Sequence, residues 1–141
     1  EFAAAVGFGI VFGINAGPGP RKPSSGAKNT TAGAWVPDNA RELMNYTSAM
    51  GYPVVGYELG NEPDQYASVF ASLNFSLSSE QYVRDAAAFV ALTRSVNTSL
   101  LTVGPDMNFI PIVGDFFMLE SMLPYAQAHN VSWDVVTWHF Y

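Results

Sequence analysis

The chain has 141 residues, 49% of them hydrophobic, a formal net charge of −6 and no cysteine. That is apolar material for one ordinary core, and the acidic balance, with six Lys and Arg in all, excludes nucleic acid as an expected partner because a phosphate backbone would be repelled. The lack of Cys excludes a disulfide framework and a thiolate zinc site. With no initiator Met and a stop on Tyr141 directly after an apolar run, the sequence reads as a piece of a longer chain.

Residues 2–14 are apolar and punctuated by Gly. They are too few for a membrane span and have an acid, not a base, ahead of them. They predict a helix end over 2–6 and then a buried strand, FGIVFGIN. Gly7, Gly9 and Gly13 miss the dinucleotide-binding spacing by one position, so no such site is expected. Residues 17–33 form a Gly, Pro, Ser and Lys loop. Its Arg21, Lys22 and Lys28 are half of the positive charge, read either as a solvated tip or as a contact to an anionic ligand.

Pro37 and Asp38 open a helix whose inward face is Ala40, Leu43, Met44, Thr47 and Met50, with Gly51 as the left-handed stop. A strand over 54–60 follows. Tyr66, Phe70 and Phe75, in the next loop, are core candidates. Ser78-x-x-Gln81 is a capping box ahead of a helix that stacks Tyr82, Val83, Ala86, Phe89, Val90 and Thr93 on one face. A third strand is expected over 100–104, ending in Gly-Pro-Asp-Met-Asn. A helix over 115–129 should turn Phe116, Leu119, Leu123 and Ala126 inward and kink at Pro124. The last strand, 135–138, delivers His139 and Tyr141.

Strands alternating with single helices predict parallel βαβ units, and functional residues of such folds collect at the carboxyl ends of the strands. Four such ends carry polar residues here: Asn15, Asn61 with Glu62, Asp106 with Asn108, and His139 with Tyr141. The centre of the pattern is VVGYELGNEPD, residues 54–64. Pro63 should end the strand and hold Glu62 in extended geometry. Glu58 shares the run, but it sits inside the strand, one layer below Glu62, where a buried acid needs a hydrogen bond or a base. Asp106 lines the cleft or caps the turn after its strand. His129 is a favourable charge at a helix end. The two His are ten positions apart with no matching acids, so no metal site and no cofactor is expected.

Asn29, Asn45, Asn74, Asn97 and Asn130 each begin an N-x-S/T sequon, where this Ser/Thr content would give roughly one by chance. The expectation is a glycoprotein that is secreted or held in a lysosome or vacuole.

Tyr57-Glu-Leu-Gly-Asn-Glu-Pro63 resembles the acid/base strand of the heparanase and β-glucuronidase family of retaining glycoside hydrolases, family 79. The likeness extends to FGIN at 12–15, VGPDMN at 103–108 and VTWHFY at 136–141. It implies an α/β fold that is part of one (β/α)₈ barrel, about strands three to six, with residues 1–141 a fragment of a single catalytic domain. It also implies that Glu62 is the proton donor, that Asn61 contacts the sugar, and that His139 and Tyr141 contact the sugar or support the nucleophile; Asn15 and Asp106, at the other two polar strand ends, are further candidates to face substrate. Asn61 would meet the sugar near its 2-hydroxyl. The nucleophile, a second Glu after the seventh strand, would lie beyond Tyr141, so the 141 residues alone should hydrolyse nothing.

The implied reaction is retaining cleavage of β-glucuronidic linkages in a polysaccharide or proteoglycan side chain. The sparse Lys and Arg favour a lightly sulfated glucuronide. Association with extracellular matrix or a membrane periphery is compatible with this reading. Retaining chemistry sets two carboxylates about 5 to 5.5 Å apart, one protonating the leaving oxygen and one attacking the anomeric carbon. It asks that the acid hold its proton up to a pKa of about 6. The rival is a non-catalytic barrel homologue that binds glycans or protein partners without turnover.

Overall fold

The computed structural model describes residues 2–21, 33–109 and 117–140. Their elements run α1 (Phe2–Val6), β1 (Ile10–Ile14), α2 (Asp38–Ala49), β2 (Val54–Leu59), a 3₁₀ turn (Pro63–Gln65), α3 (Tyr66–Val69), a second 3₁₀ turn (Ala71–Leu73), α4 (Ser79–Val96), β3 (Leu101–Phe109), α5 (Phe117–Ala128) and β4 (Val135–Phe140). The four strands pair in chain order, β1-β2-β3-β4, and every pair is parallel. Consecutive parallel strands joined by helices are the repeating unit of a (β/α)₈ barrel, and this chain is a partial barrel of that kind.

The core lies between the sheet and the helices. Tyr57, Leu59 and Met107 from the strands meet Met44 of α2, Tyr82, Val83 and Phe89 of α4, and Met122 and Ala126 of α5. The periodicity of α4 is borne out, with Tyr82, Val83, Ala86, Phe89 and Thr93 buried and Val90 half-buried. Ser78 Oγ accepts from the Gln81 backbone N–H at 3.1 Å. The Gln81 side chain does not return to close the capping box; it goes to Asp85 Oδ1 at 2.7 Å. Two inward positions are corrected. Met50 is exposed because α2 ends at Ala49. Leu123 is also exposed, and Met122 is buried in its place, on a face shared with Met118 and Ala126 at i, i+4 spacing. Phe116 lies outside the described residues.

β3 runs five residues past its expected end at 104. Pro105 does not stop it, because Asp106 is accommodated as a bulge. Pairing with β4 runs Pro105↔Thr137 and then Met107↔Trp138, leaving Asp106 as the extra residue. β4 likewise continues to Phe140, so His139 sits within a strand, opposite Asn108.

Arg21 is neither a solvated tip nor a ligand contact. It is buried and paired with Asp85 of α4 at 2.7 Å. Its guanidinium also donates to Ala16 O at 2.5 and 3.1 Å, to Gly17 O at 3.1 Å and to Gly33 O at 3.0 Å. Asp85 accepts in addition from the Trp35 backbone N–H at 3.1 Å. A buried ion pair persists only when its remaining hydrogen-bonding capacity is met; here the carbonyls after β1, Trp35 and Gln81 meet it, and the segments at Ala16–Gly17 and Gly33–Trp35 are fastened to α4. Lys22 and Lys28 lie outside the described residues.

Asp85→Ala in the full-length protein leaves Arg21 buried without its counter-charge. A loss of about 3–5 kcal/mol in unfolding free energy is expected from denaturant titration, against a change within about 0.5 kcal/mol for Glu80→Ala, whose ion pair with Arg84 is on the surface.

Candidate active site

Three of the four polar strand ends converge. The carboxyl end of β2 is held by Tyr82, a fully buried side chain of α4. Its hydroxyl donates to Leu59 O at 2.8 Å and lies 3.3 Å from Pro105 O of β3. Beyond that point the backbones of the two strands stay joined, since the Glu62 N–H donates to Asp106 O at 2.9 Å.

Both residues of this junction are left-handed, Glu62 at φ 47° and Asp106 at φ 54°. Glu62 therefore departs from the extended geometry expected of a residue before proline. The reason lies in its backbone partners: its N–H is fixed by Asp106 and its C=O accepts from the Gln65 N–H at 2.9 Å, which closes the Pro63–Gln65 turn. A left-handed conformation costs a non-glycine residue about 1–2 kcal/mol.

The side chains form a row. Glu62 Oε1 is 2.7 Å from His139 Nδ1, and His139 Nε2 is 3.1 Å from Asp106 Oδ1. Asp106 is buried, with its carboxylate against the His139 ring. Burial pushes its pKa up, opposed by His139 and assisted by the charges of Glu62 and Asp64. The hydrogen bond to Glu62 is the main cause that raises the His139 pKa, with Asp106 adding to it. Glu58 acts on His139 through its charge. Its Oε1 accepts from Thr137 Oγ1 at 2.6 Å, two residues before His139 on β4, and burial raises its pKa. Glu58 has the hydrogen bond expected of an acid within the strand, but it is half-buried, not buried.

Asn61 is exposed beside Glu62, its backbone N–H directed to the Tyr66 hydroxyl at 3.4 Å. Asp64 bridges Gln65 Nε2 at 3.1 Å and the Asn108 backbone N–H at 3.2 Å, tying the turn after β2 to β3. Asn15 stands apart, with its Oδ1 accepting from the Gly17 N–H at 2.7 Å in a local turn and its C=O accepting from Trp35 Nε1 at 3.0 Å. Tyr141 lies outside the described residues. Among the described residues, no group of three or more His, Asp or Glu side chains is arranged to hold a metal ion. A carboxylate, an imidazole and a second carboxylate in a row at the carboxyl ends of adjacent strands can hold a proton and pass it to a bound group.

The family model described as glycosyl hydrolase family 79, N-terminal domain, matches residues 1–141. Heparanase-like protein 1 of Arabidopsis thaliana is 33% identical over 142 residues, covering all of this chain and 24% of its own length. Heparanase-like protein 3 of the same plant is 28% identical over 143 residues, covering 99% of this chain and 24% of its own. This chain thus spans about a quarter of the relatives it matches. Among solved structures, a glucosidase from Croceicoccus marinus superposes with a TM-score of 0.61 at 20% identity, over 96% of this chain and 27% of that one. A Paenibacillus polymyxa xyloglucanase of glycoside hydrolase family 44 superposes with a TM-score of 0.56 at 14% identity, over 92% and 29%. At these identities the superpositions speak for the fold.

A group whose folded pKa is raised above its unfolded value of 6.5, as for His139, adds stability that is complete below that value and is lost as pH rises through the folded one. This contribution to the melting temperature of the full-length protein should therefore be lost as the pH rises above 6.5, and His139→Gln should flatten that limb in a scan of Tm against pH.

Proposed function

Because the chain belongs to glycosyl hydrolase family 79, we propose that it forms part of the barrel of a retaining glycosidase that cleaves β-glucuronidic linkages in glycans or proteoglycan side chains, with Glu62 as its acid/base. The observation that carries this reading is the placing of the Glu62 carboxylate at the carboxyl end of β2, in hydrogen-bond contact with His139 of β4. Glu58 is occupied below it by Thr137. The proton passes from Glu62 to the departing glycosidic oxygen while a nucleophilic carboxylate elsewhere in the whole protein attacks the anomeric carbon. In the second step Glu62 takes a proton from the incoming water. Asn61, exposed at the same strand end, is the residue that meets the sugar.

Charge supports a lightly sulfated substrate. Arg21 is held by Asp85, Arg84 pairs with Glu80 and Arg94 pairs with Asp134, while Glu58, Glu62, Asp64 and Asp106 lie at or beneath the strand ends. A densely sulfated chain would need cations to offset these acids. The sequons support a route through the secretory pathway: Asn45, Asn74, Asn97 and Asn130 are all exposed, and Asn97 and Asn130 sit in the connections that lead from α4 and α5 into the next strands, away from the carboxyl ends.

Glu62→Gln in the full-length enzyme should lower kcat on glycosides with poor leaving groups by about 10²–10⁴-fold and spare those whose leaving group departs without a proton. Near-normal turnover of the unactivated substrate would sink the assignment. Expressed through a eukaryotic secretory host and treated with an N-glycanase in ¹⁸O water, the protein should show label at Asn74, Asn97 and Asn130 by peptide mass spectrometry. Unlabelled peptides from secreted protein would contradict the glycoprotein reading.

A further inference from the structure

We propose that Asp106 is a positioning residue that, through His139, fixes which atoms carry the proton of the Glu62 acid/base group; this deepens the reading above and rests on it. Asp106 grips Glu62 at both ends. Its carbonyl accepts from the Glu62 N–H at 2.9 Å, and its carboxylate reaches the Glu62 carboxylate through the two nitrogens of one imidazole, at 3.1 and 2.7 Å. The bulge at Asp106 makes this possible. The extra residue in β3 lets both the carbonyl and the side chain of one residue address the end of β2.

An ionised carboxylate can only accept hydrogen bonds, and a neutral imidazole has one donor and one acceptor nitrogen. Asp106 opposite Nε2 therefore selects the Nε2–H tautomer and leaves the Nδ1 lone pair facing Glu62 Oε1. In that state the bond between Nδ1 and Oε1 exists only while a proton lies between them. When His139 is the imidazolium, both N–H groups donate, one to each carboxylate, and the Asp106 charge stabilises the cation, which holds the proton on the His139 side of the pair. In both states the Asp106 charge favours keeping a proton on the Glu62–His139 pair, so the pair titrates as a unit. Among the described residues, other ionisable groups that act on the row or lie beside it include Glu58 from β2, Asp64 from the Pro63–Gln65 turn, Tyr66 from α3 and Tyr82 from α4. The carboxylates among them act in the same direction, and the buried phenols stay protonated.

A residue that only packed the strand end would leave the titration where it is. The discriminating measurement is the ¹⁵N NMR titration of the His139 ring in the full-length protein, with the pH profile of kcat/KM on an aryl β-glucuronide as the kinetic counterpart. Asp106→Asn should lower the His139 pKa by about one unit or more, reduce the Nε2–H tautomer and move the basic limb of kcat/KM to lower pH by a similar amount. In a His139→Gln background the same substitution should move the limb by less than half as much, because the link is already cut. An unmoved His139 titration and limb in folded Asp106→Asn overturns the proposal. So does an equal limb shift with and without His139. If Asp106→Asn fails to fold, the tautomer of wild-type His139 decides: a neutral ring carrying its proton on Nδ1 overturns the proposal. Failure of the underlying reading shows separately, as retained turnover of the unactivated substrate by Glu62→Gln.

Discussion

The carboxyl end of this sheet depends on one phenol. Tyr82 is fully buried on α4, and its hydroxyl joins the last carbonyl of β2 to the Pro105 carbonyl of β3. Burial holds the phenol far above its ordinary pKa, so it remains a donor at any physiological pH. Because the helix that carries it is packed against the sheet by Val83, Ala86 and Phe89, the positions of two strand ends are set by core packing and not by the loops that follow. Glu62 and Asp106 then leave those ends already in register, and the bond from Glu62 N–H to Asp106 O keeps them so.

The same helix organises the other end of the described site wall. Asp85 is one turn from Tyr82 and turns the opposite way chemically, accepting from Arg21, Trp35 and Gln81 inside an otherwise apolar layer. One face of α4 therefore fixes both the β2–β3 junction and the segment that follows β1. At the amino end of β3, Asp134 accepts from the Thr102 N–H at 2.7 Å and from its hydroxyl at 2.8 Å and pairs with Arg94, which lowers the Asp134 pKa. These polar ties lie at the ends of the strands.

Much of this was legible in the sequence. Strand and helix alternation gave the parallel sheet because apolar periodicity is local, and the polar clusters after four apolar runs marked the strand ends because such clusters have no other use in a buried run. Three features were not legible. The length of β3 was hidden by Pro105, since a proline reads as a stop unless a bulge absorbs it. The left-handed Glu62 was hidden because the proline rule is local, while the bond that overrides it comes from Asp106, far along the chain. The Arg21–Asp85 pair spans 64 positions. Its one signal was an acid at position 85, spaced three from Tyr82 and four from Phe89 on the buried face of α4, where a charge demands a partner.

The left-handed backbone at Glu62 has a consequence for how this region tolerates change. Glycine, and to a lesser degree asparagine, occupies that conformation at lower cost than glutamate. The chemistry of the carboxylate and the comfort of the main chain thus favour different residues at one position. Glu62→Gly would relax the main chain there and at the same time remove the carboxylate that meets His139.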